Sequence, residues 1–556
     1  MNNKNVQINQ ILDLAHVNHK KNNLDLAKDL YEKVLKIDIN HIGTIYLLGT
    51  LYLQKRNFTK AIELFNRALK IKPNHILVLH NLAYAFIETE KHEEAKKLLY
   101  KVIEMNPNYV DAHYNLGNIY KFYGETEKAE QSYRKAIQLN PNNSKAYNNL
   151  GNILKDLGKF EEAIDSYSKA IKLQFNHANA YHNLGNTYKQ LGKFDKAIDY
   201  YSQSLKYQPH NLETIWTRQE LRKKSIDIKL KNSIDLIMKS KKLTNKDIAY
   251  GNFLYAKYES QKKNFEKEFK FLLKGHEYYS LWGKKKYERG IRYWLNEVPN
   301  MNDLMNLGKS KKNTNGQGDK IKPIFIIGVP RCGSTLIEKI IASGDKKISV
   351  GEETAIISFF VGKKITANEP LNSDIASLKE EIIKRYELRN ILKKENDYTF
   401  TDKSLDNFFF IGLIKEIFPN AKIINCRRDP IASIVSILKN NLGDVSWAHN
   451  VENIFQFFDI YYKKIEEFKK IHPNFIYDLQ LEKFVSNPEI ESKELMNFCE
   501  LPWSKKCLEF YKRKDITSKT ASNIQIRQAI YKDSKEKYLP YRQFLIKYGK
   551  KYKWFN

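Results

Sequence analysis

The clearest chemistry in the chain lies in seven consecutive residues, Val329-Pro330-Arg331-Cys332-Gly333-Ser334-Thr335. They follow an apolar run at residues 323–328 and precede a stretch of helical apolar period at residues 336–342, so the order is strand, glycine loop, helix. Backbone amides of such a loop, together with the N-terminus of the following helix, can cradle a phosphate. Gly328, Gly333 and Thr335 match the phosphate-loop pattern GxxxxGK[ST], but Ser334 stands where that pattern has lysine. Nothing in the loop can then reach β- and γ-phosphates, which weighs against an ATPase or GTPase. A ligand with one 5′-phosphate and a transferable anionic group suits it better. A second cationic cluster ends another short apolar strand, residues 422–426, where Arg427-Arg428-Asp429-Pro430 leads into a helix over residues 431–438. Asp429 fits the N-cap of that helix and Pro430 its first helical position. Guanidinium forks are suited to a further phosphate.

The elements that must position these groups occupy only the second half of the chain. The first half is an internal repeat of period 34, in which a small residue recurs at Ala15, Gly49, Ala83, Gly117, Gly151 and Gly185. Twelve residues after each comes Ala27, Ala61, Ala95, Ala129, Ala163 or Ala197, and Pro73, Pro107, Pro141 and Pro209 close several units. Small residues let two antiparallel helices pack closely, Tyr31, Phe65, Leu99, Tyr133, Tyr167 and Tyr201 fill the groove between them, and proline stops the second helix. Three series sharing one phase resemble the tetratricopeptide repeat, six copies over residues 1–211. That resemblance implies an α-superhelix with a concave groove for a peptide or protein partner. Asn81, Asn115, Asn149 and Asn183, with Asn118, Asn152 and Asn186, recur on the first helices and are expected to line the groove, where amides can pair with a peptide backbone. A similar ladder occurs in the repeats of O-linked N-acetylglucosamine transferase. Helices with a decayed repeat signature are expected at 212–308, a polar linker at 309–320 and a second domain at 321–556.

Pro330-Arg331-Cys332-Gly333-Ser334-Thr335-Leu336 resembles the 5′-phosphosulfate loop of sulfotransferases, usually Pro-Arg-Ser-Gly-Thr-Thr-Leu. The resemblance implies a P-loop-like α/β domain with a mainly parallel sheet, and the co-substrate 3′-phosphoadenosine 5′-phosphosulfate at the carboxyl ends of its strands. Arg331, Cys332, Gly333, Ser334 and Thr335 would hold the 5′-phosphosulfate. Arg428 and Ser436 match the spacing of the family's arginine and serine for the 3′-phosphate. Gly351-Glu352-Glu353-Thr354 is similar to a segment of tyrosylprotein sulfotransferases and of bacterial repeat-containing sulfotransferases, in which the second glutamate is the base. Glu353 is thus the expected proton acceptor, and Lys403 of Thr401-Asp402-Lys403 the expected partner of the leaving oxygen. Ser522 and Lys537-Tyr538 match, by their separation, a serine and a lysine-aromatic pair that contact the nucleotide in the tyrosylprotein enzymes. Two residues depart from the pattern: Leu481 replaces a family tyrosine, and Cys332 replaces the loop serine. A phosphatase-like role for Cys332 needs an arginine six positions on, and residue 338 is Glu338.

Composition sets the remaining limits. The 556 residues are 42% hydrophobic and 13% aromatic, which excludes a mainly disordered or collagen-like chain. The four cysteines form no CxxC pair, no histidines stand at metal-ligand spacing, and no metal is expected. No apolar stretch is long enough to span a bilayer and none resembles a secretory leader, so the cytoplasm is the expected compartment. Residues 1–211 carry 29 Lys+Arg against 21 Asp+Glu, a net +8, which leaves +22 of the total +30 for the rest. That excess is either a solvated lysine-rich surface or a field that favours polyanions, whether nucleic acid, anionic lipid or a small ligand with several phosphates. The sulfotransferase resemblance implies the small ligand, and no nucleic acid is expected as partner. The function implied is transfer of a sulfuryl group to an acceptor hydroxyl, with a protein tyrosine chosen by the repeat groove as one reading and a glycan or small molecule as its rivals. A kinase-like nucleotide-binding domain and a peptide-binding scaffold with an inactive domain stay open as alternatives. Oligomeric state has no signature in the sequence.

Overall fold

The computed structural model describes residues 2–222, 225–301, 320–366, 369, 375–393, 398–513, 525–530 and 535–555. The chain divides into two compact units, Met1–Thr187 with Asp199–Gln208, and Tyr188–Ile198 with Pro209–Asn556.

Helical hairpins of constant size build the first unit: Ile42–Gln54 with Phe58–Ile71, Ile76–Glu88 with His92–Met105, Val110–Phe122 with Thr126–Leu139, Ser144–Asp156 with Phe160–Leu173. The period-34 glycines are required by contact, since a Cβ added at Gly49, Gly117 or Gly151 would lie 2.6 Å from the ring of Phe65, Tyr133 or Tyr167. Those rings are fully buried, and the tyrosines resolve their own polar end: Tyr133 and Tyr167 each donate at 2.8 Å to the Asn118 and Asn152 side chains. Asparagines also join successive repeats. Asn149 donates to Tyr114 Oη and Asn118 Oδ1, both at 3.1 Å, and Asn183 donates to Asn148 Oδ1 at 3.0 Å. The amide ladder that the sequence suggested for a peptide backbone is therefore largely occupied in holding one repeat to the next.

The second unit is a five-stranded sheet with helices packed around it. The strands are β1 (Lys322–Gly328), β2 (Ser349–Val350), β3 (Thr399–Asp402), β4 (Lys422–Arg427) and β5 (Ile476–Gln480), in the order β2-β3-β1-β4-β5 and all parallel. From Pro323 onward β1 is wholly buried, as a near-continuous apolar run in a parallel sheet must be. It is paired on both sides, and the chain leaves it first toward β2 and β3, then toward β4 and β5. The carboxyl ends at Gly328, Asp402 and Arg427 thus flank the point where the strand order reverses.

Helices before residue 301 belong to this unit as well. Helix Phe265–Trp282 packs on the last helix, Leu539–Gly549, through the stacked rings of Phe269 and Phe544 at 5.3 Å, while Tyr541 donates at 2.6 Å to the buried carboxylate of Glu268. His276 meets His449 at 3.0 Å, Nδ1 to Nδ1, and Trp294 stacks on Phe409 at 5.7 Å. Among the described residues no helix is long and apolar enough to cross a membrane.

Candidate active site

Sharp backbone geometry marks the loop after β1. Gly328 has φ +152°, Arg331 +71° and Gly333 +96°, and a Cβ at Gly328 would meet the Cys426 carbonyl at 2.6 Å. Such a path needs glycine at its close approaches and stores strain at Arg331. Helix Ser334–Ala342 follows at once, so the amides of its first turn face the loop. Ser334 and Thr335 are buried there. Cys332 is fully buried against Cys426, and the two thiols hydrogen-bond each other, which together with burial pushes Cys426 well up. Neither is an exposed nucleophile. Leu481 lies over the loop, where a Cβ on Gly333 would come 2.6 Å from its Cδ1. The residue that departs from the sulfotransferase pattern thus touches the glycine at the centre of the loop.

Next to this loop the cationic groups converge. Arg331 Nε donates to Ser436 Oγ at 3.0 Å, and Arg428 Nη1 donates to the Arg331 carbonyl at 3.1 Å. Arg428 Nη2 donates to Tyr538 Oη at 3.2 Å, and its guanidinium lies 5.3 Å from the centre of that ring, as does Lys537 Nζ. Local sequence explains the placement: Asp429 caps helix Pro430–Asn440 by accepting from the Ala432 amide at 2.9 Å, Pro430 opens the helix, and Ser436 falls on its second turn. Asn440 steadies Ser436, donating to its carbonyl at 2.7 Å and its hydroxyl at 3.3 Å. From β5 onward Glu482 accepts from the Asp429 amide at 2.8 Å. Two arginines, a serine and a lysine from three separate chain segments can grip an anion with charge-assisted bonds.

Across β1, the segment after β2 carries Glu353, whose carboxylate takes a hydrogen bond from Lys403 Nζ at 2.9 Å. Lys403 is wholly buried and Glu353 about half exposed. Burial alone disfavours the ammonium, but the carboxylates of Glu353, Glu338 and Glu352 outweigh it and hold Lys403 above the ordinary lysine range. A permanently charged lysine therefore stands behind a solvent-accessible carboxylate. Asp402, fully buried at the end of β3, accepts from Thr354 at 2.6 Å and Tyr386 at 2.5 Å and so fixes the turn around Glu353. Asp406 lies nearby, its carboxyl pushed up to about 6 by burial, with Asp402 and Glu353 adding to the shift against a hydrogen bond from Ser358.

Of the residues picked from sequence, Arg331, Cys332, Gly333, Ser334, Thr335, Arg428, Ser436 and Lys537 lie at or beside the loop, and Glu353 and Lys403 form one ion pair. Ser522 lies outside the described residues. Tyr538 belongs to the lysine-aromatic pair singled out from the sequence, whereas Asn440 and Glu482 were not anticipated. Their contacts join residues with no shared local pattern.

Comparison with known proteins agrees with this division of the chain. Residues 323–505 match the model of the sulfotransferase family, and residues 11–41, 41–108, 110–143 and 143–209 match tetratricopeptide-repeat models. An uncharacterised protein of Aquifex aeolicus (strain VF5) is 29% identical over 333 residues, 56% of this chain and 42% of that protein. The chain thus spans about two fifths of that relative's length. A putative protein-tyrosine sulfotransferase of Caenorhabditis briggsae is 23% identical over 229 residues, 37% of this chain and 77% of that protein. Among solved structures, MamA is 26% identical and covers 30% of this chain and 97% of its own, with a TM-score of 0.28. The Pseudomonas aeruginosa pilF protein is 20% identical, covering 39% and 99%, with a TM-score of 0.36.

Proposed function

Since the chain joins tetratricopeptide repeats to a C-terminal domain of the sulfotransferase family, we propose that it transfers a sulfuryl group from 3′-phosphoadenosine 5′-phosphosulfate to an acceptor hydroxyl, and that the acceptor is a tyrosine of a protein selected by the repeats. The observation that carries this reading is the ion pair of Glu353 with buried Lys403 next to a lysine-free phosphate loop. The fit to the donor is chemical. The loop amides and Arg331 suit the 5′-phosphosulfate, and Arg428 with Ser436 suits the 3′-phosphate, which a nucleoside triphosphate lacks.

In the reaction the acceptor oxygen forms a bond to sulfur as the bond from sulfur to the 5′-phosphate oxygen breaks. Glu353 takes the hydroxyl proton, which half exposure and its position on a turn allow. Lys403 stays charged and stabilises the negative charge that grows on the departing phosphate oxygen. Arg331 and Arg428 hold the leaving nucleotide throughout. The Caenorhabditis briggsae relative bears a protein-tyrosine sulfotransferase name, which supports a phenolic acceptor.

Titration of the whole protein with 3′-phosphoadenosine 5′-phosphate at low salt tests the donor half. Heat of binding that is lost on adding salt is expected, and a flat titration overturns the reading. Incubation with radiolabelled donor and a cell extract tests the other half: a labelled protein whose label resides on tyrosine is expected. Label found only on a glycan or a small molecule removes the tyrosine assignment.

A further inference from the structure

Glu338 enters the account above only as one of the carboxylates that keep Lys403 charged, yet it is a carboxylate with 0% exposure on the helix behind the phosphate loop, with contacts of its own. Its Oε1 accepts from the Thr401 hydroxyl at 2.8 Å and from the backbone amide of Glu352 at 3.1 Å. Its Oε2 has no hydrogen-bond partner among the described residues. The Thr401 hydroxyl in turn accepts from the Gly351 amide at 3.2 Å, and the Lys403 amide donates to the Glu352 carbonyl at 2.8 Å. The Gly351 amide and the Glu352 amide and carbonyl, three hydrogen-bonding groups of the turn before Glu353, are thereby tied to Glu338 and to the end of β3, and Glu338 supplies the ionisable side chain among these bonds.

The turn itself has little freedom to compensate. Glu352 holds φ +55°, and a Cβ on Gly351 would sit 2.2 Å from the Thr401 carbonyl. Methionine would fill the same space as Glu338 without the penalty of burying a carboxylate, so packing alone does not account for this residue. What a carboxylate adds is an acceptor for two donors and a negative charge near Lys403 and Lys339.

We propose that Glu338 is a positioning residue for the transfer reaction: by holding Thr401 and the Glu352 amide it fixes the Gly351-Glu352 turn, and so sets the direction and distance at which the Glu353 carboxylate meets the acceptor hydroxyl. This rests on the reading of Glu353 as the base. The role is indirect, since Glu338 is sealed from solvent and reaches the acceptor hydroxyl only through the turn.

The test compares Glu338→Met, Glu338→Gln and Thr401→Val in the full chain, alone and with Glu353→Ala. Affinity for 3′-phosphoadenosine 5′-phosphate reads the nucleotide end. Cleavage of radiolabelled donor at saturation, with N-acetyltyrosinamide and water as acceptors, reads kcat, since the phenol of that acceptor keeps its proton at neutral pH. Nucleotide affinity is expected to stay within about threefold in every variant, while kcat falls roughly 10- to 100-fold in Glu338→Met and Thr401→Val, the loss expected when a reacting group is misplaced by a fraction of an ångström to an ångström. Glu338→Gln is expected to recover most of that loss, because its amide oxygen accepts the same two hydrogen bonds. In the Glu353→Ala background, adding Glu338→Met is expected to change the rate less than about twofold. Wild-type kcat in Glu338→Met, no rescue by glutamine, or an equal loss with and without Glu353 would each overturn the proposal. Should wild type bind no nucleotide, or Glu353→Ala turn over like wild type, the reading of the site falls and the positioning role falls with it. If wild type binds the nucleotide, Glu353→Ala is slowed and only Glu338→Met is silent, the positioning role alone is lost.

Discussion

Gly49 under Phe65, Gly117 under Tyr133 and Gly151 under Tyr167 are one contact made three times, at the same distance and with the same period. Among the described residues of the sheet-containing unit, no contact recurs at a fixed period in that way. There, Glu338, Lys339, Asp402 and Lys403 are all nearly sealed from water within one short stretch of the sheet's carboxyl edge. The array spends its sequence on apolar fit and on neutral amide bonds between neighbours. The second unit instead places charges where water cannot solvate them, which is costly unless they are mutually compensated. Repetition makes the array tolerant, since each interface is local. Concentration of charge makes the site intolerant, because removing one partner leaves another buried and uncompensated.

Substitutions in the two regions should therefore differ in kind. The largest effect is expected for Glu353→Ala, with kcat lowered about 10²- to 10⁴-fold at unchanged affinity for 3′-phosphoadenosine 5′-phosphate. Labelled-donor turnover measures the first and calorimetry the second, and wild-type turnover would remove the contrast between the regions altogether. Acid should come next, and it should act on the second unit. His276 is buried and neutral, its pKa lowered to about 4 by burial, with only the Leu438 carbonyl opposing. The unfolded chain takes up a proton near the ordinary value of about 6.5, so stability is fully present above that pH and is lost as pH falls toward 4. The expected loss is about 3 kcal/mol. Urea midpoints at pH 7 and pH 4.5 would show it, and His276→Gln should lessen the dependence, with the remainder coming from His449, which burial also holds well below the ordinary range.

Arg428→Ala should weaken binding of 3′-phosphoadenosine 5′-phosphate by about 2 kcal/mol, roughly 30-fold, the scale of a charge-assisted hydrogen bond. Calorimetry of the variant gives this directly, and an unchanged Kd would move the nucleotide away from Arg428. In the array, Gly151→Ala forces a methyl group to within 2.6 Å of the Tyr167 ring. It should cost about 1–3 kcal/mol by overpacking while leaving nucleotide affinity alone, a separation that denaturation and calorimetry on one sample would reveal. Asn149→Ala is the mildest, about 1 kcal/mol for hydrogen bonds to Tyr114 and Asn118. A labelled acceptor that is lost with Asn149→Ala, at unchanged stability, would show that the ladder also serves a partner.

Much of this was legible in the residue order. Period-34 series identify the hairpins because each repeat obeys the same packing constraint. The loop 328–335 declares itself because glycine, hydroxyl and helix start must fall at fixed spacings to surround a phosphate. Glu338 left a faint trace, an acid within the apolar run Leu336-Ile337-Glu338-Lys339-Ile340-Ile341. That trace says only that a charge is buried and not what it holds.

Local pattern, then, determined which segments are helices or strands and which residues have the chemistry for phosphate binding and proton transfer, since periodicity and capping act over a few residues. Tertiary structure alone decided that Lys403 is sealed behind Glu353, that Arg428 meets Tyr538, that Leu481 covers Gly333 and that His276 pairs with His449. Each of these joins residues 50 to 173 positions apart. Contacts at such separation follow from how whole elements pack, and burial, which sets the charge state of every group among them, exists only once that packing is complete.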